Sequence, residues 1–518
     1  MKKKFSIGVD KIKISDINEI LDNNFEFFLA EETLKKMQEC FDFLKSKIDS
    51  GEVVYGITTQ FGNQVSVLDS NFKSGNNSEY YNSIIQRQIN LIMSHDCSVG
   101  DPLPDRITKL AILLRSHALS LGYSGVSVKT VEHLKVLFDK NCIPVVRRYG
   151  SIGASGDLIP LAAIASTLIG THDEVSTDKG IISSVDMLKN INMEVLEIRM
   201  REGLALINGT SYLTAIAANA HYNFEKVFSS ILSSFALILE SLEANDSPFR
   251  PLVHDLKYHE GSKKIASFFM NYWKDSKYIF TGSINKSNLD NAALQNYYSL
   301  RSIPQGLGTV IDSMQTATRY IENEMNSAND NPIISLESNK ILHNANFMGF
   351  YVTEASELMC NSVSLLSTWI HALLAVVVHP SKNNHLPTNL IEDFSINSGF
   401  RPLQILSASI TVQNRSLNQN FYNFMVPTEG DNQDVSSLGF HAAMNYFESV
   451  SNLAQLASII ALASAQAADL RGIDKLSSSG REHYNFIRKF SKKIESDRIP
   501  SSDINRLRQG ILSKTWKI

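Results

Sequence analysis

Three long runs without glycine or proline constrain the fold more than any other feature of this chain: Ser211 to Glu243, Thr353 to Val378 and Phe440 to Leu470. The two residue types that most weaken a helix interior are absent from them, and each run carries apolar residues on more than one face. A helix apolar on several sides is buried among others. The pattern therefore predicts a mainly α-helical protein with a long central helical bundle, packed within the chain and across subunits. The third run, about 31 residues, would reach roughly 45 Å as a helix. The Asn, Glu and Gln residues inside these runs argue against a membrane span.

At 518 residues the chain is long enough for more than one domain. Only 20% of the residues are charged and the net charge is −4, which predicts no nucleic-acid surface and no binding to anionic membranes. Cys40, Cys97, Cys142 and Cys360 show no paired spacing. They fit neither a disulfide framework nor a zinc site, so we expect no metal and a reducing compartment. The start Met1-Lys2-Lys3-Lys4-Phe5 runs into alternating polar residues rather than an apolar stretch, so a cytoplasmic location without a secretory signal is expected.

Along the chain, Leu34, Met37, Phe41 and Leu44 recur at helical spacing and predict a helix over Glu31 to Ile48. Val53 to Gly62 reads as an apolar start entering a Gly-punctuated loop that carries Tyr55, and residues 66–82 as a polar loop. Leu161 to Ile169 reads as a buried helix capped at Gly170. Residues 172–195 are a polar excursion, Asn326 to Pro332 a helix stop and loop, and Ser477 to Ile518 an amphipathic outer layer.

The stretch Gly150-Ser151-Ile152-Gly153-Ala154-Ser155-Gly156-Asp157 holds the unusual chemistry. With little bulk around Ser155, the Gly156 nitrogen has access to the Ala154 carbonyl. Ring closure there, with loss of water from the ring and from the Ser155 hydroxyl, leaves an exocyclic methylidene. That group is an electrophile of a kind no ordinary side chain offers. The plainer alternative is a Gly/Ser turn with Ser155 or Asp157 as the N-cap of the following helix.

This segment resembles the signature of the aromatic amino-acid ammonia-lyases and aminomutases, which build a 4-methylidene-imidazol-5-one (MIO) group autocatalytically from Ala-Ser-Gly. Further blocks resemble the family in order from Tyr55 to about Arg471. They are Tyr55-Gly56-Ile57-Thr58-Thr59-Gln60-Phe61-Gly62, Gln88 to His95, Glu202 to Thr210, Gln295 to Gln305, Asn326 to Pro332, Asn346-Phe347-Met348-Gly349 and Glu429 to Gly439. Gln60, Asn296, Tyr297, Ser302 and Met348 depart from the family pattern. The resemblance implies an ammonia-lyase-like fold, with an N-terminal MIO-bearing domain and lid loop over 1–200 and a helical bundle domain over 201–518. It also implies a homotetramer whose active sites draw on more than one subunit, with no external cofactor.

The site implied by the resemblance has Ala154, Ser155 and Gly156 forming the MIO and Tyr55 taking the substrate β-proton. Arg301 and Asn208 hold the carboxylate; an arginine gives a carboxylate two parallel charged bonds, though a salt bridge within the bundle is the plainer reading of Arg301. Tyr298, Gln433 and Glu429 border the amine, Asp157 and Phe347 support or shield the MIO, and His95 reads the ring. An imidazole at 95 suits a phenol or an imidazole, whereas an uncharged amide at 433 suits a neutral ring. The two together favour tyrosine, giving p-coumarate. Histidine or phenylalanine ammonia-lyase, a 2,3-aminomutase making a β-amino acid, and a catalytically silent helical scaffold are the alternatives. A phenol acting near neutrality requires positive potential around Tyr55.

Overall fold

A computed structural model of the chain describes residues 3–22, 24–68, 77–282 and 295–514. Helix accounts for 59% of it, so the protein is mainly α, as the unbroken runs require. The three long helices span Ser211–Ser241, Phe350–Val377 and Gly439–Arg471, joined by Ile303–Met325 and Arg401–Leu417. Strands occur only as short pairs or a triplet among the described residues; Val99–Pro102 with Arg147–Tyr149, and Ile333–Ser335 with Lys340–Leu342, lie next to the segments of interest.

Several serines in the long helices are buried with hydroxyls that donate to the carbonyl one turn back: Ser229 to Glu225 (2.8 Å), Ser234 to Ser230 (2.8 Å), Ser367 to Val363 (2.8 Å) and Ser458 to Ala454 (2.9 Å). A hydroxyl satisfied within its own helix leaves no polar cost at the packed face. Phe350–Val377 and Gly439–Arg471 are long and apolar enough to cross a membrane by composition, and 56% and 83% of their apolar windows are buried inside the chain.

The chain divides into two compact units. The first comprises Met1–Asn219, Thr318–Ser356 and Asn420–Met444, and the second Ala220–Ala317, Glu357–Gln419 and Asn445–Ile518. In the first, Leu44, Ile48, Val54, Ile57, Ile84, Met200 and Ile334 form a buried cluster that anchors the loop carrying Tyr55 through Val54 and Ile57. In the second, the rings of Phe249, Phe269 and Trp273 pack edge-on or tilted with centroids about 5 Å apart, and the Trp273 indole donates to the Ala236 carbonyl (3.1 Å).

Local expectations meet the structure at Glu31–Asp49 and at Leu158–Leu168, with Gly170 at φ +76°. The expected polar loop over 66–82 is corrected at its end: residues 69–76 lie outside the described residues, and a helix begins at Asn77 and runs to His95. The 172–195 excursion contains a hairpin, Val175–Thr177 with Gly180–Ile182, and the helix Ser184–Asn190. All four cysteines are free thiols, three of them buried and Cys97 exposed.

Candidate active site

The turn Gly153–Asp157 is held by groups far from it in sequence. Gly153 and Gly156 both adopt left-handed backbone, φ +67° and +69°, which only glycine takes without strain. A Cβ at Gly156 would lie 2.5 Å from the Gly209 carbonyl oxygen, and one at Gly153 2.6 Å from Ser437 Oγ. Ser437 Oγ donates to the Gly153 carbonyl (3.0 Å) and accepts the Gly439 N–H (3.2 Å). Ala154, Gly156 and Asp157 are buried, whereas Ser155 is half-buried.

Asp157 stands at the N-cap position of Leu158–Leu168 without capping it. Its carboxyl turns away to accept the Leu213 N–H (2.6 Å) and the Ser151 hydroxyl (3.0 Å), while its own N–H donates to the Gly209 carbonyl (2.8 Å). The capping reading of Asp157 is thereby corrected. Burial pushes this carboxyl up to about 7 against the pull of those donors. The Asn208 amide donates to both the Ser155 carbonyl (2.9 Å) and the Ser155 hydroxyl (3.2 Å). Asn208 Oδ1 is buried with no hydrogen-bond partner among the described residues. Gly156→Ala combines a forbidden φ with a backbone clash and is expected to cost about 2–5 kcal/mol, read as a lower denaturation midpoint.

Tyr55 lies in the same unit. Its hydroxyl accepts the Gly62 N–H (3.0 Å), and the Phe61 ring stands edge-on to its own at 6.5 Å. A Cβ at Gly62 would fall 1.7 Å from Glu429 Oε1, so the Glu429 carboxylate rests directly on this loop. The expected positive surroundings of Tyr55 are corrected. Burial raises its pKa, the Gly62 N–H lowers it, the Glu429 charge raises it, and the more weakly felt Arg201 lowers it.

The remaining predicted residues are placed as follows. His95 ends the helix Asn77–His95 with Nδ1 on the Leu91 carbonyl (2.8 Å). Gln433 closes a tight loop with Thr428 through paired backbone bonds (3.1 and 3.2 Å) and takes the Thr428 hydroxyl on Oε1 (2.7 Å). Phe347 is half-buried in the turn before Phe350–Val377. Tyr298 and Arg301 belong to the second unit, where they line a cleft of 470 Å³ with Asn245, Asn296 and Gln305. Tyr298 is 73% exposed, and the guanidinium lies 4.6 Å over its ring. Arg301 Nε and Gln305 Oε1 are buried without hydrogen-bond partners among the described residues.

Several residues that hold these groups carried no local signal. Gln88 donates to the Gly56 carbonyl (2.7 Å) and accepts the Leu204 N–H (2.7 Å), tying the Tyr55 loop to the helix Glu202–Ile207 that ends at Asn208. Arg87 binds the Ile57 and Thr59 carbonyls (2.8 and 2.9 Å). Arg115, 1% exposed, reaches the Ala205 carbonyl (2.9 Å), the Asn208 carbonyl (3.3 Å) and Asn329 Oδ1 (2.8 Å). Arg201 pairs bidentately with Asp330 (2.7 and 2.9 Å), both fully buried. Among the described residues no group of three or more His, Cys, Asp or Glu could hold a metal ion.

Residues 12–491 match the aromatic amino acid lyase family. A histidine ammonia-lyase of Legionella pneumophila is 29% identical over 518 residues, covering 100% of this chain and 99% of the relative. Among solved structures, a tyrosine aminomutase from Streptomyces globisporus superposes with TM-score 0.91 at 26% identity, covering 98% of this chain and 97% of the other. The phenylalanine aminomutase of Pantoea agglomerans gives TM-score 0.91 at 27% identity over 99% of each chain. With its family match spanning almost the whole sequence and its fold shared with these structures, the chain belongs to the aromatic amino acid lyases and is a carbon–nitrogen lyase.

Proposed function

We propose that this protein eliminates ammonia from an aromatic L-amino acid, leaving an α,β-unsaturated acid, with an MIO group formed from Ala154, Ser155 and Gly156. One observation carries the reading: the Ser155 carbonyl and hydroxyl both sit on the Asn208 amide, inside a turn whose Gly153 and Gly156 are left-handed. The residues fit the group. Gly156 has no room for a side chain, and Asn208 Oδ1 keeps an unused acceptor beside Ser155. When formed, the MIO supplies an electrophile for the substrate amine, improving nitrogen as a leaving group.

The chain's own residues divide the remaining work. Tyr55, as phenolate, takes the β-proton, and the Gly62 N–H on its oxygen favours that charged form. Glu429, whose carboxylate lies beside Gly62, receives the proton from the amine in this reading. Arg301 binds the α-carboxylate, its buried Nε having no hydrogen-bond partner among the described residues. Arg301→Lys keeps the charge and loses the fork, and is expected to lower kcat/KM about 10–100-fold. The protein acts as a cytoplasmic homotetramer in this reading, with sites completed by more than one subunit. Its subunit count is checked by light scattering.

For the ring, His95 and Gln433 favour tyrosine, but whole-length relatives described as histidine ammonia-lyases support histidine better. Histidine is therefore the first substrate of this proposal and tyrosine the second. A 2,3-aminomutase is the second reading of the reaction, supported by the two aminomutase structures of similar fold. Incubation with histidine, tyrosine and phenylalanine, followed by chromatography for both unsaturated acid and β-amino acid, decides among them. A folded protein that turns over none of the three overturns the proposal.

A further inference from the structure

The segment Asn208-Gly209-Thr210 is gripped from both ends and both faces. On one face it meets the condensing turn: the Asn208 amide lies on Ser155, and the Gly209 carbonyl accepts the Asp157 N–H at 2.8 Å. On the other, a Cβ at Gly209 would meet Arg115 Nη1 at 2.0 Å and Asn329 Oδ1 at 2.6 Å. At its start, Arg115 holds the Asn208 carbonyl. At its end, the Thr210 hydroxyl donates to the Glu324 carboxylate, from the helix Ile303–Met325. Thr210, Arg115 and Asn329 are all at most 3% exposed, so the grip is internal and independent of bound substrate.

We infer that Glu324, through Thr210, and Arg115, through the Asn208 carbonyl, are positioning residues that press Asn208-Gly209 onto the Ala154-Ser155-Gly156 turn and thereby control its condensation into the MIO. The inference rests on the proposed MIO chemistry. In that condensation the Gly156 nitrogen bonds to the Ala154 carbonyl carbon. The former carbonyl oxygen leaves as water with the protons of the Gly156 and Ser155 nitrogens. The Ser155 hydroxyl leaves as a second water with the Ser155 Cα proton. No oxidant or reductant is needed. The step does require the turn to be compressed, with the serine hydroxyl and carbonyl held together. Asn208 is the group that touches both, and Arg115 and Glu324 hold its segment from outside the turn.

The test is the intact mass and near-ultraviolet difference spectrum of purified, folded full-length protein. Wild type is expected two waters lighter than its sequence. Glu324→Ala and Thr210→Val, which remove the same hydrogen bond from opposite sides, are expected to leave most chains at the full mass. Glu324→Gln keeps an acceptor for Thr210 and is expected to restore the two-water loss. Arg115→Met should behave like Glu324→Ala. Thr210→Val, nearly isosteric, stands in if Glu324→Ala does not fold. Folded Glu324→Ala or Thr210→Val with complete two-water loss overturns the inference alone. Wild type at its full mass overturns it together with the MIO proposal.

Discussion

Ser155→Ala is expected to reduce product formation to background while leaving the fold in place. The side chain of Ser155 is half-buried, and among the described residues its hydroxyl bonds to the Asn208 amide at 3.2 Å. Losing that bond costs about 0.5–1.5 kcal/mol, too little to unfold a chain with a core of this size. The chemical loss is total, because the methylidene carbon is the serine's own Cβ. Three measurements bear on it together: turnover, the mass of the intact chain, and the difference spectrum against wild type. Turnover comparable to wild type in Ser155→Ala, or identical spectra, would remove the basis for the proposed chemistry.

Tyr55→Phe is expected to lower kcat by about 10²–10⁴, the usual contribution of a positioned base, with little change in stability. The two side chains share their shape, and among the described residues the lost hydrogen bond is that from the Gly62 N–H. The accompanying pH profile is diagnostic. Tyr55 works as phenolate, and burial together with the Glu429 charge raises its pKa against the pull of the Gly62 N–H. A raised pKa moves the ionised fraction to higher pH, so wild-type activity should climb into the alkaline range. Glu429→Gln should bring that rise to lower pH. A profile that is flat, or an alkaline limb that survives in Tyr55→Phe, assigns the proton transfer to another group.

The helices were legible because their signal is local. The unbroken runs beginning at Ser211, Thr353 and Phe440 place their helices within three residues at each end of Ser211–Ser241, Phe350–Val377 and Gly439–Arg471. The Ala-Ser-Gly stretch stood out through its resemblance to the family signature, and the structure shows it as a tight turn with Gly153 and Gly156 left-handed. The polar composition around Asn77 misled, because Ser, Asn and Glu serve equally as loop residues and as the first turn of a helix. The scaffold of the site left no trace in the pattern. Arg115 finds Asn329 across 214 positions, Ser437 finds Gly153 across 284, and Asp157 takes the Leu213 N–H across 56. Such pairings depend on tertiary packing, which leaves neither period nor spacing in the sequence. An arginine inside the helix Asp105–Ser120, which also carries Arg106 and Lys109, looks like an ordinary surface residue until the fold is known.

The two acids flanking Asn208-Gly209-Thr210 set the handling of the purified enzyme apart from its use. Burial raises Asp157 and Glu324 each to about 7, so between the ordinary carboxylate range and neutrality the folded chain holds protons that the unfolded chain has released. Their contribution to stability is complete only below the ordinary carboxylate range and drains away as pH climbs from there to about 7, the opposite direction from the ionisation that Tyr55 needs. A storage buffer below neutrality and an assay buffer well above it would serve one polypeptide.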